Sequence, residues 1–85
     1  MPDQIDEQVI SVVASVKRVR REAVSIASTF EELGIDSLDS INILFELEGL
    51  FDINVPDAEA RSIHSVQQIV EGVRKLVAKK AGNTV

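Results

Sequence analysis

Apolar residues recur at intervals of three and four along most of the chain, which is the spacing of one face of an α-helix. This pattern predicts helix I, from about Asp3 to Lys17. Its apolar face consists of Ile5, Val9, Val12, Val13 and Val16. Asp3 is expected to cap the helix, and Asp6 and Glu7 fall in the first turn, where negative charge is favourable.

A long connection follows helix I and spans about Arg18–Gly34. Because structureless loops of this length are uncommon in compact domains, we expect a short helical turn near Thr29–Leu33, capped by Ser28 or Thr29. Apolar residues spaced through the connection are expected to hold it against the core. They are Val24, Ile26, Phe30 and Leu33.

Three further helices complete the predicted fold. Their predicted spans are Ser37–Leu50 for helix II, Asp57–Ser62 for a short helix III and Ser65–Lys80 for helix IV. Pro56 has the fixed φ that suits a helix start, and Ser65 and Gln68 match the S-x-x-Q capping box. Residues 81–85 are predicted to form a frayed tail. The fold class is therefore all-α: a small four-helix bundle with three longer helices, one short helix III and a long loop between helices I and II.

Helix II has too many apolar residues for a single stripe that faces one core. Leu44, Leu47 and Phe51 lie on one face, with Leu38 or Ile43 near its edges. A neighbouring strip contains Leu38, Ile41 and Phe45. Two interpretations remain open: helix II is central and buried on several sides, or the second strip is exposed and docks a partner.

Composition limits the possible functions of the chain. Its 85 residues are predicted to form one domain, over residues 1–85, and without cysteine they cannot form a disulfide or a Cys-type metal site. The start of the sequence lacks the features of a secretory signal, and no apolar stretch approaches the ~18 residues of a membrane span. We therefore expect a cytoplasmic protein without membrane insertion, and a monomer.

Charge is distributed unevenly along the chain. Between Glu22 and Glu59 there are ten acidic residues and no Lys or Arg, and the net charge is −5. This acidic segment is expected either to keep the protein dispersed or to steer partners that have basic patches. The basic run Lys17–Arg21 does not indicate nucleic-acid binding, because the overall charge is negative and no aromatic residues are interleaved with it.

Ser37 is the strongest candidate for chemistry. It follows Gly34 closely and begins an apolar, helix-period segment, so its hydroxyl is expected at the start of a helix. A serine nucleophile needs a base and a group that orients the base, but His64 is the only histidine in the chain. Ser37 therefore fits a site that another protein modifies better than it fits a catalytic nucleophile.

Three sequence motifs lie around Ser37. The motif F-x-x-L-G at Phe30–Gly34 precedes D-S-L at Asp36–Leu38, and L-x-x-x-F-x-I-x-V-P follows at Leu47–Pro56. Together they resemble acyl carrier proteins, and the resemblance continues through Ile63–Val70 and covers nearly the whole chain. It implies a non-enzymatic carrier of acyl intermediates, held as thioesters on 4′-phosphopantetheine, between enzymes of fatty-acid, polyketide or specialised lipid synthesis.

The same resemblance implies roles for individual residues. Ser37 would carry the prosthetic arm, which a phosphopantetheinyl transferase installs from coenzyme A, and Asp36 would assist that modification. Enzymes with basic patches that transfer, condense or activate acyl groups would be the other partners. Candidate docking residues on helix II are Leu38, Asp39, Ile41, Asn42, Phe45, Glu46 and Glu48. Candidate residues lining a pocket for the acyl cargo are Leu47, Ile63 and Val70.

Two departures from familiar fatty-acid carriers affect the expected docking surface. Asn42 stands where an acid is common, and Gly49 and Leu50 replace a pair that is typically acidic. The surface of helix II is therefore expected to be more apolar and less charged. Two alternatives remain: an aminoacyl or peptidyl carrier protein, and a helical protein-interaction adaptor without a prosthetic group.

Overall fold

The computed structural model describes residues 4–82 of the chain, with side chains as far as Lys80. The structure contains α1 Gln4–Lys17, α2 Phe30–Leu33, α3 Ser37–Phe51, α4 Asp57–Ser62 and α5 Val66–Gly82, with a 3-10 turn at Arg21–Ala23. The predicted helix I corresponds to α1, and the turn predicted within the long connection corresponds to α2. The predicted helices II, III and IV correspond to α3, α4 and α5. Residues 4–82 contain no strand, so the predicted all-α fold with three long helices and a short third member is confirmed.

The core lies between α1, α3 and α5, and the apolar periodicity of each helix explains its place there. Val9 and Val13 of α1 are fully buried, as are Ile43 and Leu47 of α3. Other buried core residues are Ala14, Val24, Phe30, Leu44, Val66, Ile69, Val70 and Val73. The buried residues Ile43, Leu44 and Leu47 lie on one face of α3, so the helix contributes to the core through that face.

The long connection is held by a capped turn, as the sequence predicts. Of the two expected caps, Thr29 caps α2: its hydroxyl accepts a hydrogen bond from the Glu32 amide, and the Glu32 carboxylate accepts one from the Thr29 amide. The segment is also tied to the start of α5, because the Phe30 amide donates to the His64 carbonyl oxygen and the Val66 amide donates to the Ser28 carbonyl oxygen.

Several helix ends differ from the predicted ones. The expected cap Asp3 and residues 83–85 of the expected tail lie outside the described residues. Helix α3 continues to Phe51, and Asp52 closes it in the left-handed conformation, with φ of 55°. Helix α5 continues through Gly82, because Lys79 and Lys80 in its last turn complement the helix dipole.

The predicted capping box of α5 is formed in altered form. The Ser65 hydroxyl accepts a hydrogen bond from the Gln68 amide, as expected. The Gln68 side chain accepts a hydrogen bond from the amide of His64 rather than from that of Ser65. Within residues 4–82, no helix is long and apolar enough to cross a membrane.

We predict that two single substitutions on α3 separate its buried and exposed faces. Leu47→Ala removes a fully buried side chain and should lower the free energy of unfolding by about 3 kcal/mol. Phe45→Ala removes a side chain that is 74% exposed and should change it by less than about 0.5 kcal/mol. Urea unfolding followed by circular dichroism measures both values, and equal losses would contradict the assignment of faces.

Candidate functional site

Ser37 is the first residue of α3, and the turn before it explains its exposure. Gly34 ends α2 with a φ of 69°, a left-handed conformation that glycine adopts without strain. The Ile35 amide then donates to the Phe30 carbonyl oxygen over 2.9 Å, which anchors the turn to the core. The chain therefore leaves α2 and enters α3 within three residues, and Ser37 faces solvent.

A reciprocal capping box begins α3. The Asp36 carboxylate accepts a hydrogen bond of 2.8 Å from the Asp39 amide, and the Asp39 carboxylate accepts a longer one, 3.5 Å, from the Asp36 amide. Asp36 thus fixes the point at which α3 starts, since its oxygen satisfies an amide that the helix itself leaves without a partner.

Lys17 of α1 joins this capping box to the rest of the bundle. Its ammonium donates to the Asp39 carboxylate over 2.8 Å and to the Gly34 carbonyl oxygen over 2.9 Å. The hydrogen bond from Lys17 lowers the pKa of Asp39 below its usual range, and the partial burial of the carboxylate opposes this shift. From the sequence, Lys17 was interpreted only as a cation near a helix end. Its contact with Asp39 could not be predicted, because no local pattern connects residues that are 22 positions apart.

The start of α3 has backbone groups that could hold an anion. Within the described residues, the amide groups of Ser37 and Leu38 have no acceptor, whereas those of Asp39 and Ser40 are engaged by Asp36. Unpaired amide groups at a helix N-terminus favour a phosphate, because the helix dipole adds to their partial positive charge. These features fit a phosphodiester on the exposed Ser37 hydroxyl.

A groove of about 580 Å³ opens beside Ser37, between α3 and α4. Its apolar wall consists of Phe30, Ile35, Ile41, Leu44, Ala60 and Ile63. Its polar rim consists of Asp36, Ser37, Ser40, Asp57, Arg61 and His64. The groove beside Ser37 is therefore amphipathic, with apolar walls and a polar rim.

A second groove, of about 430 Å³, lies between α4 and α5. Leu44 and Ile63 line both this groove and the one beside Ser37. Of the three residues predicted to line an acyl pocket, Ile63 therefore lies at the grooves. Leu47 and Val70 lie in the core and border neither groove. The sequence did not identify Leu44 as a groove residue, because its position on α3 is also compatible with complete burial in the core.

The predicted docking residues on α3 divide into exposed apolar groups and engaged carboxylates. Leu38, Ile41 and Phe45, which we call the apolar strip, are 65%, 63% and 74% exposed. Asn42 and Glu46 beside them are also exposed. Thus the structure resolves the two interpretations of α3 in favour of an exposed strip, while Ile43, Leu44 and Leu47 face the core.

Two of the predicted docking acids are engaged within the molecule. Asp39 pairs with Lys17 over 2.8 Å. The Glu48 carboxylate accepts a hydrogen bond of 2.8 Å from the Val55 amide, which ties the end of α3 to the segment before α4. In the described part of the chain, no group of three or more potential metal ligands occurs.

The chain is similar to known proteins in both sequence and fold. Residues 7–73 match the family model described as "Phosphopantetheine attachment site". The chain is 37% identical over 73 residues to the acyl carrier protein of Chlorobium phaeobacteroides. The aligned region covers 85% of this chain and 94% of that protein. It is 38% identical over 74 residues to the acyl carrier protein of Rickettsia bellii, with 86% of each chain covered.

A mitochondrial acyl carrier protein from Dictyostelium discoideum is 40% identical to this chain over 77 residues. The aligned region covers 91% of this chain and 64% of that protein's length. Among solved structures, an acyl carrier protein from Thermotoga maritima superposes with a TM-score of 0.68 at 21% sequence identity. That superposition covers 93% of this chain and 98% of the Thermotoga chain, and it supports the fold.

We predict that Lys17→Met raises the pKa of Asp39 toward its usual range, because the ammonium no longer stabilises the carboxylate. In the wild type, the lowered pKa of Asp39 means that its ion pair with Lys17 stabilises the fold at pH values above the usual pKa range of an aspartate. That contribution is lost as the pH falls through the lowered pKa. Carboxyl chemical shifts of Asp39, followed by NMR through acid titration, measure the change, and identical titrations of both proteins would refute it.

Proposed function

The chain belongs to the acyl carrier protein family, whose members are carriers rather than enzymes and hold acyl groups on covalently attached 4′-phosphopantetheine, and from this premise we propose that Ser37 bears the prosthetic arm. The observation that carries this assignment is the exposed position of Ser37 at the start of α3, beside unpaired backbone amides and an amphipathic groove.

The chain provides the place of attachment and leaves the chemistry of attachment to another protein. No base contacts Ser37 in the described residues, so a phosphopantetheinyl transferase would take the proton from the hydroxyl. The hydroxyl oxygen would attack the phosphorus on the pantetheine side of the coenzyme A diphosphate, the phosphoanhydride bond would break, and 3′,5′-ADP would leave. The arm supplies the thiol that this cysteine-free chain lacks. Asp36 keeps the α3 N-terminus in place through one carboxylate oxygen and would use its exposed side to assist the transferase.

The cargo is proposed to lie in the groove between α3 and α4. Ser37 is on the rim of this groove, and Ile41 and Ile63 are among its apolar wall residues. Burial of each methylene of an acyl chain contributes about 0.8 kcal/mol, so even a short chain gains from entering the groove. Leu44 and Ile63 separate this groove from the one between α4 and α5, so longer chains would have to pass these two side chains.

The partners are enzymes that synthesise or transfer acyl groups, since the family serves such enzymes. We propose that they approach the exposed side of α3, because the apolar strip begins at Leu38, directly after Ser37. We also propose that the chain acts as a monomeric, cytoplasmic shuttle in fatty-acid, polyketide or specialised lipid synthesis. An acyl cargo is favoured over an aminoacyl or peptidyl one because the curated relatives are named acyl carrier proteins.

We predict that incubation with coenzyme A, Mg²⁺ and a phosphopantetheinyl transferase adds the mass of one phosphopantetheinyl group to the wild-type protein. Ser37→Ala should show no gain, because the attacking hydroxyl is absent. Ser40→Ala is the matched control: Ser40 lies one turn later on the same groove rim, and this variant should be modified fully.

Intact-protein mass spectrometry reads all three samples. An equal mass gain in the Ser37→Ala variant would show that another residue carries the arm. If several transferases fail to modify the wild type, the adaptor interpretation would replace the carrier one.

We further predict where an octanoyl chain lies once it is loaded on the arm. In methyl NMR spectra, Leu44 and Ile63 should shift and show contacts to the acyl chain, because both line the groove beside Ser37. Val13 serves as the control, since it is buried in α1 away from both grooves. An acyl chain that contacts none of the groove residues would contradict this placement.

A further inference from the structure

The groove between α4 and α5 leads away from Ser37. Its near end contains Ile63, which also lines the groove beside Ser37. Its far end contains Leu76, which also borders a small cleft with Asp52 and Ile53, at the end of α3. Since Ser37 begins α3 and Asp52 closes it, the groove runs from the side of the attachment residue toward the opposite end of that helix.

One wall of this groove is a face of α5, and that wall contains a glycine. Residues of α5 at spacings of three and four share a face of the helix. Those that line the groove with this spacing are Ile69, Gly72, Val73 and Leu76. Ile69 and Val73 are buried, and Leu76 is half-buried. Gly72 therefore leaves a gap in an otherwise aliphatic wall, about midway along the groove.

The fold itself does not require glycine at position 72. The φ of Gly72 is not positive, so other residues can adopt it without strain. A Cβ atom added to Gly72 would meet nothing within 4 Å beyond the surrounding helical backbone. Glycine inside a helix is less favourable than alanine, because its backbone loses more entropy on folding. Gly72 thus lowers the stability of α5 without relieving a clash, and what it provides is open space in the groove.

The chemistry of this groove favours a hydrocarbon over a polar cargo. Its floor and walls are aliphatic, and in the part of the chain whose side chains are described no buried side-chain nitrogen or oxygen lacks a partner. A polar cargo would therefore lose its water without gaining a hydrogen bond. Glu71 and Lys75 on the rim are exposed and lie one turn apart, so their opposite charges attract an ionic group only weakly.

We propose, on the basis of the proposed function, that Gly72 is a specificity-determining residue: it keeps the groove open along its length, so that this carrier shelters long-chain acyl groups such as palmitoyl. From Ile69 to Leu76 the groove follows α5 for about 10 Å, since each helical residue adds about 1.5 Å. This is close to the length by which an extended palmitoyl chain exceeds an octanoyl chain. The octanoyl chain ends in the groove beside Ser37, and the distal part of a palmitoyl chain passes Ile63 and lies over Gly72.

Two alanine substitutions test whether the fold needs this glycine. Gly49 is the matched control: it lies inside α3, it is exposed, it lines neither groove, and a Cβ added to it also meets nothing within 4 Å. Gly72→Ala and Gly49→Ala should each raise the Tm of the unloaded protein by about 4 °C, because alanine is the better helix former. A lower Tm for Gly72→Ala alone would show that the fold requires the glycine and would overturn the proposal.

The cargo experiment compares octanoyl and palmitoyl chains on three proteins. A phosphopantetheinyl transferase with octanoyl- or palmitoyl-coenzyme A loads the wild type, Gly72→Leu and the control Gly49→Leu, and methyl NMR compares the loaded with the unloaded form of each. In the wild type, both chains should shift Leu44 and Ile63, but only palmitoyl should shift Leu76. In Gly72→Leu the shift of Leu76 should disappear, because the leucine fills the gap, and the octanoyl shifts should remain. Gly49→Leu should behave as the wild type.

Thermal unfolding of the same samples gives an independent measurement. The gain in Tm when palmitoyl replaces octanoyl should occur in the wild type and in Gly49→Leu and should be absent from Gly72→Leu. A palmitoyl chain that still shifts Leu76 in Gly72→Leu, or that never does so in the wild type, would overturn the proposal.

Two further outcomes are separated by the same samples. If Gly72→Leu does not fold, Gly72→Ala takes its place and should give a smaller palmitoyl shift of Leu76 than the wild type, and an unchanged shift would overturn the proposal. Failure of the proposed function is distinguishable, since in that case no variant would gain the mass of the arm.

Discussion

The start of α3 is the constraint on which the rest of the structure depends. Asp36 and Asp39 cap each other, and Lys17 holds both Asp39 and the Gly34 carbonyl oxygen against α1. Because helix ends otherwise fray, this set of contacts keeps Ser37 on the first turn of α3, where within the described residues the amides of Ser37 and Leu38 have no acceptor. Ser37, the groove beside it and the exposed apolar strip of α3 all take their positions from this junction.

From that fixed start, α3 serves two purposes on opposite faces. Ile43 and Leu47 are fully buried and hold the bundle together, whereas Leu38 and Phe45 remain exposed. A domain of this size has a small core, so leaving large apolar side chains in water lowers its possible stability. The proposed docking of a partner enzyme on this strip would account for the exposure of these side chains.

The sequence was sufficient for the elements of the fold, because apolar periodicity and capping residues are local signals. Thr29 and Pro56 mark helix starts, and the spans of α3 and α4 were predicted to within one residue. The exposure of the strip could not be decided from sequence, since a central helix would show the same composition. Lys17 was missed because its contact with Asp39 joins residues 22 positions apart.

The two grooves show the same limit. Helical position alone could not distinguish Leu47, which the core encloses, from Leu44, which reaches both grooves. Ile63, which the family resemblance suggested as a pocket residue, lines both grooves, but its contact with an acyl chain stays a prediction.

The central claim is that Ser37 carries the arm, and peptide mass spectrometry of the protein purified from its source organism tests it most directly. The account predicts a phosphopantetheine phosphodiester on Ser37, in the peptide that contains residues 34–40, with an acyl group on part of the population. A protein that is unmodified throughout, or modified at a different serine, would contradict it.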